Sequence, residues 1–268
     1  MEILGYICSV VIGLTLGVLG SGGSILTVPV LVYLMHFNPL VATGYSLFIV
    51  GLTSLTGAIS YMRKGLVDYK TAVAFALPSF VSVYVVRRFV LPLIPSVVFR
   101  SQDFVLTKEV SVMLLFATLM ISAAYSMIKN NKYDDVNKKE LSRFNYPMIL
   151  LQGFVVGAMT GLVSVGGGFL IIPSLVLFAR VPIKVAVGTS LIIISTNAFI
   201  GFIGDLPNQE SIDWTFLLKF CVFSVVGIIL GSNFAKYIPA PRLKPLFGWF
   251  VLFMGCYIFV HELFIRGY

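Results

Sequence analysis

Charge is what this sequence has least of. Only 11% of its 268 residues are Asp, Glu, Lys or Arg, against about 25% in an ordinary soluble domain. Between Ile3 and Met62 there is none at all. Further uncharged stretches run over Thr71–Val86, Val110–Ile128, Phe144–Ala179, Val185–Gly204, Phe220–Ala235 and Pro245–His261. A chain with so few charges cannot cover a water-facing surface, which excludes a soluble enzyme. Cysteine is scarce too. Cys8, Cys221 and Cys256 each lie inside an apolar run and form no C-x-x-C pair, which argues against a disulfide framework or a zinc site. They read as small packing residues. The opening Met1-Glu2-Ile3 lacks Lys and Arg, so it has no basic n-region of a cleaved signal peptide and the first apolar run is expected to stay. His36 and His261 sit at segment edges. No His, Asp, Glu and Cys share one depth with metal or nucleophile spacing, so no catalytic residue, metal or cofactor is expected.

What the chain does have is apolar length. Hydrophobic residues make up 58% of it, and its mean hydropathy is +0.99. At about 20 apolar residues per bilayer crossing, the runs supply roughly eight to ten membrane-spanning or re-entrant helices. The expected fold class is therefore an all-α polytopic membrane protein, multi-pass in the cell membrane. The net charge of +8 does not point to nucleic acid, because the basic residues are scattered among short loops between apolar runs. The lipid bilayer is the expected partner, and a homo-oligomer remains open.

The most informative feature is a repeat. Displaced by 144 residues, Gly13–Ser60 aligns without a gap on Gly157–Gly204, with 16 identities in 48 columns. Gly13, Gly17, Gly22 and Gly23 fall on Gly157, Gly161, Gly166 and Gly167. Leu26, Pro29, Leu31 and Val32 fall on Leu170, Pro173, Leu175 and Val176, and Gly44, Ser46 and Leu47 on Gly188, Ser190 and Leu191. After one inserted residue, Asp68-Tyr69 corresponds to Asp213-Trp214. This divides the chain into a first transmembrane repeat, 1–128, a polar cytoplasmic connector, 129–145, and a second repeat, 146–268. Each repeat reads as five segments: 3–19, 25–36, 40–61, 71–90 and 110–128, then 147–163, 169–180, 185–204, 215–235 and 245–263. The second of each five is short. Ile25–His36 reaches only about 18 Å as a helix at 1.5 Å per residue, less than the hydrocarbon core of about 30 Å.

Basic residues give the orientation, since Lys and Arg collect on the cytoplasmic side. With the connector inside and an odd number of crossings per repeat, 13 of the 19 basic residues lie inside. Tandem repeats with odd crossings are inverted relative to each other. Arg87, Arg88, Arg100 and Lys108 stand against this bias as an outside loop.

Inverted repeats with broken helices place a substrate near the bilayer midplane, with half-helix N-termini aimed at it. Two glycine clusters suit that role: Gly20-Ser21-Gly22-Gly23-Ser24 and Ser164-Val165-Gly166-Gly167-Gly168. Glycine lets a ligand approach the backbone closely. The first N–H groups of a helix are unpaired and its dipole makes that end partly positive, which suits an anion. The expected substrate-binding set is Ser21, Gly22, Gly23, Ser24, Gly166, Gly167 and Gly168, completed by the hydroxyls and amide of Thr43, Ser46, Thr53, Thr189, Ser190 and Asn197. Gly13, Gly17, Gly157 and Gly161 read instead as close helix packing, in the small-xxx-small pattern. All eleven carboxylates fall in loops or near segment ends, and no acid is evident mid-span. A small anionic substrate neutralised by backbone donors fits that distribution. The competing expectation is an ion-coupled permease for another small solute, with the glycine clusters used only for packing.

The stretches GSGGSILTVPVL with ATGYSL, and SVGGGFLIIPSL with AVGTSL, resemble the sulfite exporter TauE/SafE family, as do GLVDYK and SIDWTF. The resemblance spans most of the chain. It implies export of sulfite, an organosulfonate or another small sulfur oxyanion, and it carries over the two glycine clusters and the Ser-containing elements. Val165 and Gly168 stand where the first half has Ser21 and Ser24.

Overall fold

Helix boundaries follow local signals. Asn38 accepts from the Leu40 amide (2.9 Å) and Pro39 takes the first helical position, opening a helix that runs to Arg63. Gly65, at φ +67°, lets the chain turn after it. The Asp68 carboxylate takes the amides of Lys70 and Thr71, and Asp213 takes that of Phe216, so both aspartates cap the helices that follow. A computed structural model describes residues 2–20, 22–95, 97–100, 105–129, 146–163, 168–177, 179, 181–206, 212–235, 237–238 and 240–264.

Among the described residues ten helices of eight residues or more result: α1 Glu2–Leu19, α2 Gly22–Pro29, α3 Pro39–Arg63, α4 Tyr69–Val85, α5 Lys108–Lys129, α6 Tyr146–Val163, α7 Gly168–Leu177, α8 Ile183–Asp205, α9 Trp214–Phe234 and α10 Ala240–Phe264. A π-helical turn, Val30–Leu34, prolongs α2 beyond Pro29, and His36, at φ +58°, ends it. A second π turn, Val86–Val90, and a last turn, Leu91–Leu93, prolong α4. Such turns inside helices are frequent at functional sites. The chain is a polytopic membrane protein built of helices, with one addition that the sequence reading did not contain. Between α4 and α5, strands β1 Val97–Arg100 and β2 Val105–Thr107 pair antiparallel.

The helices pack in matched pairs. Ser9 of α1 donates to the Phe220 carbonyl of α9 (2.6 Å), Gly13 abuts the backbone of Ser224 and Ile228, and Gly17 abuts Ile228 and Ser232. Rising numbers meet rising numbers, so α1 and α9 are parallel. In the same way Gly153, Gly157 and Gly161 of α6 abut Phe75, Ser79 and Val83 of α4. Each of these contacts is the earlier one displaced by 144 residues on one helix and 145 on the other. The glycines at 13, 17, 157 and 161 therefore do serve close packing.

At the centre α3 crosses α8. Ser195 Oγ donates to the Gly51 carbonyl (3.0 Å), and these residues are 144 apart, so the bond joins equivalent positions. Leu47 meets Gly201 and Tyr61 meets Gly188, which makes α3 and α8 antiparallel. By similar contacts α3 runs parallel to α9 and α4 parallel to α8. Helices α5 and α10 pack against each other, with Gly255 against Ala117 and Met120.

Two ends follow from these directions. At the connector end lie Arg63, Lys64, Lys70, Lys129, Lys184 and the start of α10 with Arg242 and Lys244. At the hairpin end lie the starts of α1, α3 and α9, the last turns of α4 and α8, and the β-hairpin. Between them, Leu4, Ile7 and Val11 of α1, Val73, Leu77, Phe80, Val81 and Tyr84 of α4, and Leu218, Val222, Val226 and Ile229 of α9 are exposed. Spaced three or four apart, they form apolar helix faces that water would not tolerate and lipid does. Among the described residues four helical spans, Leu40–Arg63, Tyr69–Leu93, Ile183–Asp205 and Trp214–Phe234, are long and apolar enough to cross a bilayer.

Candidate functional site

Two polar seams run through this apolar body. Along α3 and α9, the Tyr45 hydroxyl accepts from the Asp213 amide (2.7 Å), Thr53 donates to Ser224 (3.0 Å), and Ser60 meets Ser232 (3.1 Å). Along α4 and α8, Thr189 accepts from the Asp68 amide (2.9 Å), and Asn197 donates to Ser79 (2.6 Å). The first two contacts of each seam occupy equivalent positions: Thr189 answers to Tyr45, Asn197 to Thr53, Asp68 to Asp213 and Ser79 to Ser224. The Gly51–Ser195 bond lies where the seams pass each other. Hydroxyls of Thr and Ser along the seams also bond back to their own helices, as Thr53 does to Ile49 and Ser190 to Val187. Among the described residues two buried polar atoms in this middle layer lack a partner, Asn197 Oδ1 and Ser54 Oγ. An unpaired buried polar group costs about 1–3 kcal/mol, so such atoms mark a place where a ligand or water would be welcome.

The short helices begin near this layer. Gly23 abuts Ile12 and Leu16 of α1, beside Gly13, which faces Ser224, the partner of Thr53. The start of α2 is thus within about one helical turn (5.4 Å) of the Gly51–Ser195 level. From there α2 descends to the hairpin end, where Met35 packs on Gly5. Helix α7 ascends from Gly168 to the connector end, where Ser174 meets Gln152 (3.2 Å) and the Val181 amide returns to Leu175 (3.0 Å). The two short helices touch and occupy opposite halves. Gly20, at φ +75°, lies against Val187 and Ile172, so the glycine break of the first half meets the Ala-x-Gly-Thr-Ser element of the second.

Of the residues singled out in the sequence, Gly22 and Gly23 open α2, Gly168 opens α7, and Ser24 is wholly buried. Asn197 and Thr53 lie in the middle layer. Thr43 and Ser46 are buried one to two turns into α3 from the hairpin end, where Thr43 bonds to Leu40 O (2.7 Å) and Ser46 to Thr43 O (2.9 Å). Thr189 and Ser190 are buried near the connector end. The set is therefore spread along the seams and not gathered at one point. Ser21, Gly166 and Gly167 lie outside the described residues.

Three ionisable residues join the interior that the sequence reading had left at its margin. Arg87 belongs to the prolonged α4, not to a loop, and only 1% of it is exposed. Its guanidinium lies 3.4 Å from the carboxylate of Asp205, the last residue of α8 and also buried. Glu262 of α10 is wholly buried and receives the Tyr33 hydroxyl (2.6 Å), while the His261 ring lies tilted against Tyr33 with centroids 4.3 Å apart. The signal was present: Phe89–Ile94 resumes the apolar run after Arg88, and Leu263–Ile265 resumes it after Glu262. Among the described residues no group of His, Cys, Asp and Glu has metal-binding geometry.

A model of the family described as "Sulfite exporter TauE/SafE" matches residues 6–258. A "Probable membrane transporter protein" of Xylella fastidiosa is 28% identical over 92% of this chain and 90% of its own length. The "Probable membrane transporter protein YunE" of Bacillus subtilis is 26% identical over 97% of this chain and all of its own. A "Probable membrane transporter protein" of Methanocaldococcus jannaschii is 27% identical over 74% of this chain and 71% of its own. No solved structure matches the chain.

Proposed function

The chain belongs to the sulfite exporter TauE/SafE family and is a membrane transporter, not an enzyme; on that premise we propose that it exports a small sulfur oxyanion, sulfite or an organosulfonate, by alternating access. The reading treats residues 1–128 and 146–268 as inverted repeats. In its favour, α3 and α8, which hold the same place in their halves, run antiparallel and bond through residues 144 apart. On this reading a pseudo-two-fold axis in the membrane plane passes near that bond, and the paired halves have two equivalent states open to opposite sides. Rocking one half against the other then exposes a middle site first to one face and then to the other.

The observation that carries the anion is the pair of short helices, each opened by glycine near the middle layer. Their first amides have no partner within the helix, and they start from opposite halves. Backbone donors and seam hydroxyls recognise negative charge without a buried lysine in the middle. The predominance of basic residues at the connector end supports placing that end in the cytoplasm and the protein in the plasma membrane. Arg87, being buried in α4, drops out of the loop residues that opposed this orientation. A monoanion leaving a negative-inside cell gains about 2.3 kcal/mol per 100 mV, enough for roughly fifty-fold accumulation outside, so export needs no second ion.

The test is a binding and flux panel with purified protein: sulfite, sulfate, thiosulfate and two organosulfonates, each challenged by a neutral sulfone. Saturable flux of one sulfur oxyanion, indifferent to the sulfone, is expected. Equal competition by the neutral analogue would sink charge recognition. One observation favours an ion-coupled permease as a second reading. The buried carboxylate of Glu262, bonded to Tyr33 on the π turn that follows α2, is the type of intramembrane acid that carries a proton in pumps and transporters.

A further inference from the structure

We infer that Arg87 is the residue that meets the transported oxyanion at the hairpin end of the path, held in waiting by Asp205. This rests on the anion-transport reading and goes beyond it by naming a contact that neither the glycine clusters nor the seam hydroxyls supply. Asp205 lies ten residues beyond Ser195 on α8, about 15 Å from the centre at 1.5 Å per residue. That depth is the edge of a hydrocarbon core about 30 Å thick. The pair closes the α4–α8 seam there.

Its geometry is wrong for a structural staple. Arg87 is 1% exposed, yet among the described residues Nε and both terminal nitrogens have no hydrogen-bond partner, and the ion contact with Asp205 is long at 3.4 Å. A guanidinium has five donors in a planar fork. Burying one charge beside another stabilises a fold only when geometry is good and the remaining donors are met. Here they are not met. A sulfur oxyanion presents two or three oxygens at the spacing the fork takes bidentately, so it would satisfy donors that Asp205 leaves bare. The carboxylate keeps the empty site from holding an isolated cation. The passing anion displaces it.

The opposite seam supports this by its difference. The position equivalent to Arg87, 145 residues on, is Ser232. There the cation comes from α3 instead: Lys64 Nζ donates to the Ser232 carbonyl (2.8 Å) at the connector end. The connector-end seam is thus closed by a part-buried lysine bonded to backbone, and the hairpin-end seam by the buried Arg87.

Sulfite uptake kinetics in proteoliposomes decide the matter, with R87K, D205N and the neutral double variant R87Q/D205N beside the wild type. The double variant contains no uncompensated charge, so it is expected to melt near the wild type and to lose roughly tenfold or more in sulfite flux, the loss of a charge-assisted contact. D205N removes the competitor and lowers the KM for sulfite several-fold. R87K keeps charge without the fork and raises it. A double variant that moves sulfite with wild-type kinetics overturns the inference and leaves the transport reading standing. If the double variant does not assemble, D205N decides alone, and an unchanged or raised KM overturns the inference. A wild-type protein that moves no oxyanion of the panel overturns both.

Discussion

Placing a methyl group at Gly13 tests the packing on which the seams depend. A Cβ there would fall on the Ser224 carbonyl and stand 2.8 Å from the Ile228 amide nitrogen. All of these are backbone atoms, so no side chain can swing aside, and α1 must move away from α9. Overpacking of that kind costs about 1–3 kcal/mol, and this contact belongs at the upper end. Replacing a helical glycine by alanine returns about 1 kcal/mol of propensity. The net expectation for Gly13→Ala is a loss of about 2 kcal/mol, or roughly 4–8 °C in melting temperature for a chain of this size. Gly51→Ala is the control. Its Cβ would meet only the side chains of Phe199 and Ala198, at 3.3–3.4 Å, so propensity and crowding nearly cancel there. Thermal unfolding of both variants in the same detergent, followed by tryptophan fluorescence, gives the comparison. Equal melting temperatures for the two would mean that α1 and α9 are not in backbone contact at Gly13, the feature that separates the two sites.

Asp213→Ala removes the cap of α9 and leaves the Phe216 amide without its partner (3.0 Å); a loss of about 1 kcal/mol is expected by chemical unfolding, and no change would mean that the cap is redundant. Asn197→Leu abolishes the 2.6 Å bond to Ser79 and its unpartnered Oδ1 together; flux of the cognate anion should fall severalfold at unchanged yield, and wild-type flux would remove the middle layer from the path. Glu262→Gln keeps the Tyr33 bond but cannot carry a proton; under the uniport reading the flux survives at every pH, whereas a loss of proton-driven accumulation would favour ion coupling.

Much of the fold could be read in the sequence because its signals are local or periodic. Uncharged runs mark the ten longer helices of the described residues near their observed bounds, and the 144-residue repeat anticipates that Gly13 and Gly157 pack alike. The hairpin at Val97–Thr107 was missed, since a few residues of strand between two spans carry little pattern. The π turns were missed for a different reason: Pro29 announces a disturbed helix but not the form it takes. The site was legible only in its parts. Thr53 and Asn197 were singled out, but their partners Ser224 and Ser79 sit on helices more than a hundred residues away, a distance that only packing reveals. Arg87 and Asp205 looked like loop charges because each stands at the end of an apolar run. Their burial comes from two helices that run parallel and end together. Glu262 was hidden in the same way.

In the proposed mechanism one oxyanion moves between the two halves with its charge uncompensated by a second ion. Current across a solid-supported membrane of oriented proteoliposomes, evoked by a sulfite step at fixed pH and sodium, tests it most directly. A transient current that carries negative charge with the sulfite, and that persists without a sodium or proton gradient, is the predicted result. Sulfite movement without any current would contradict it.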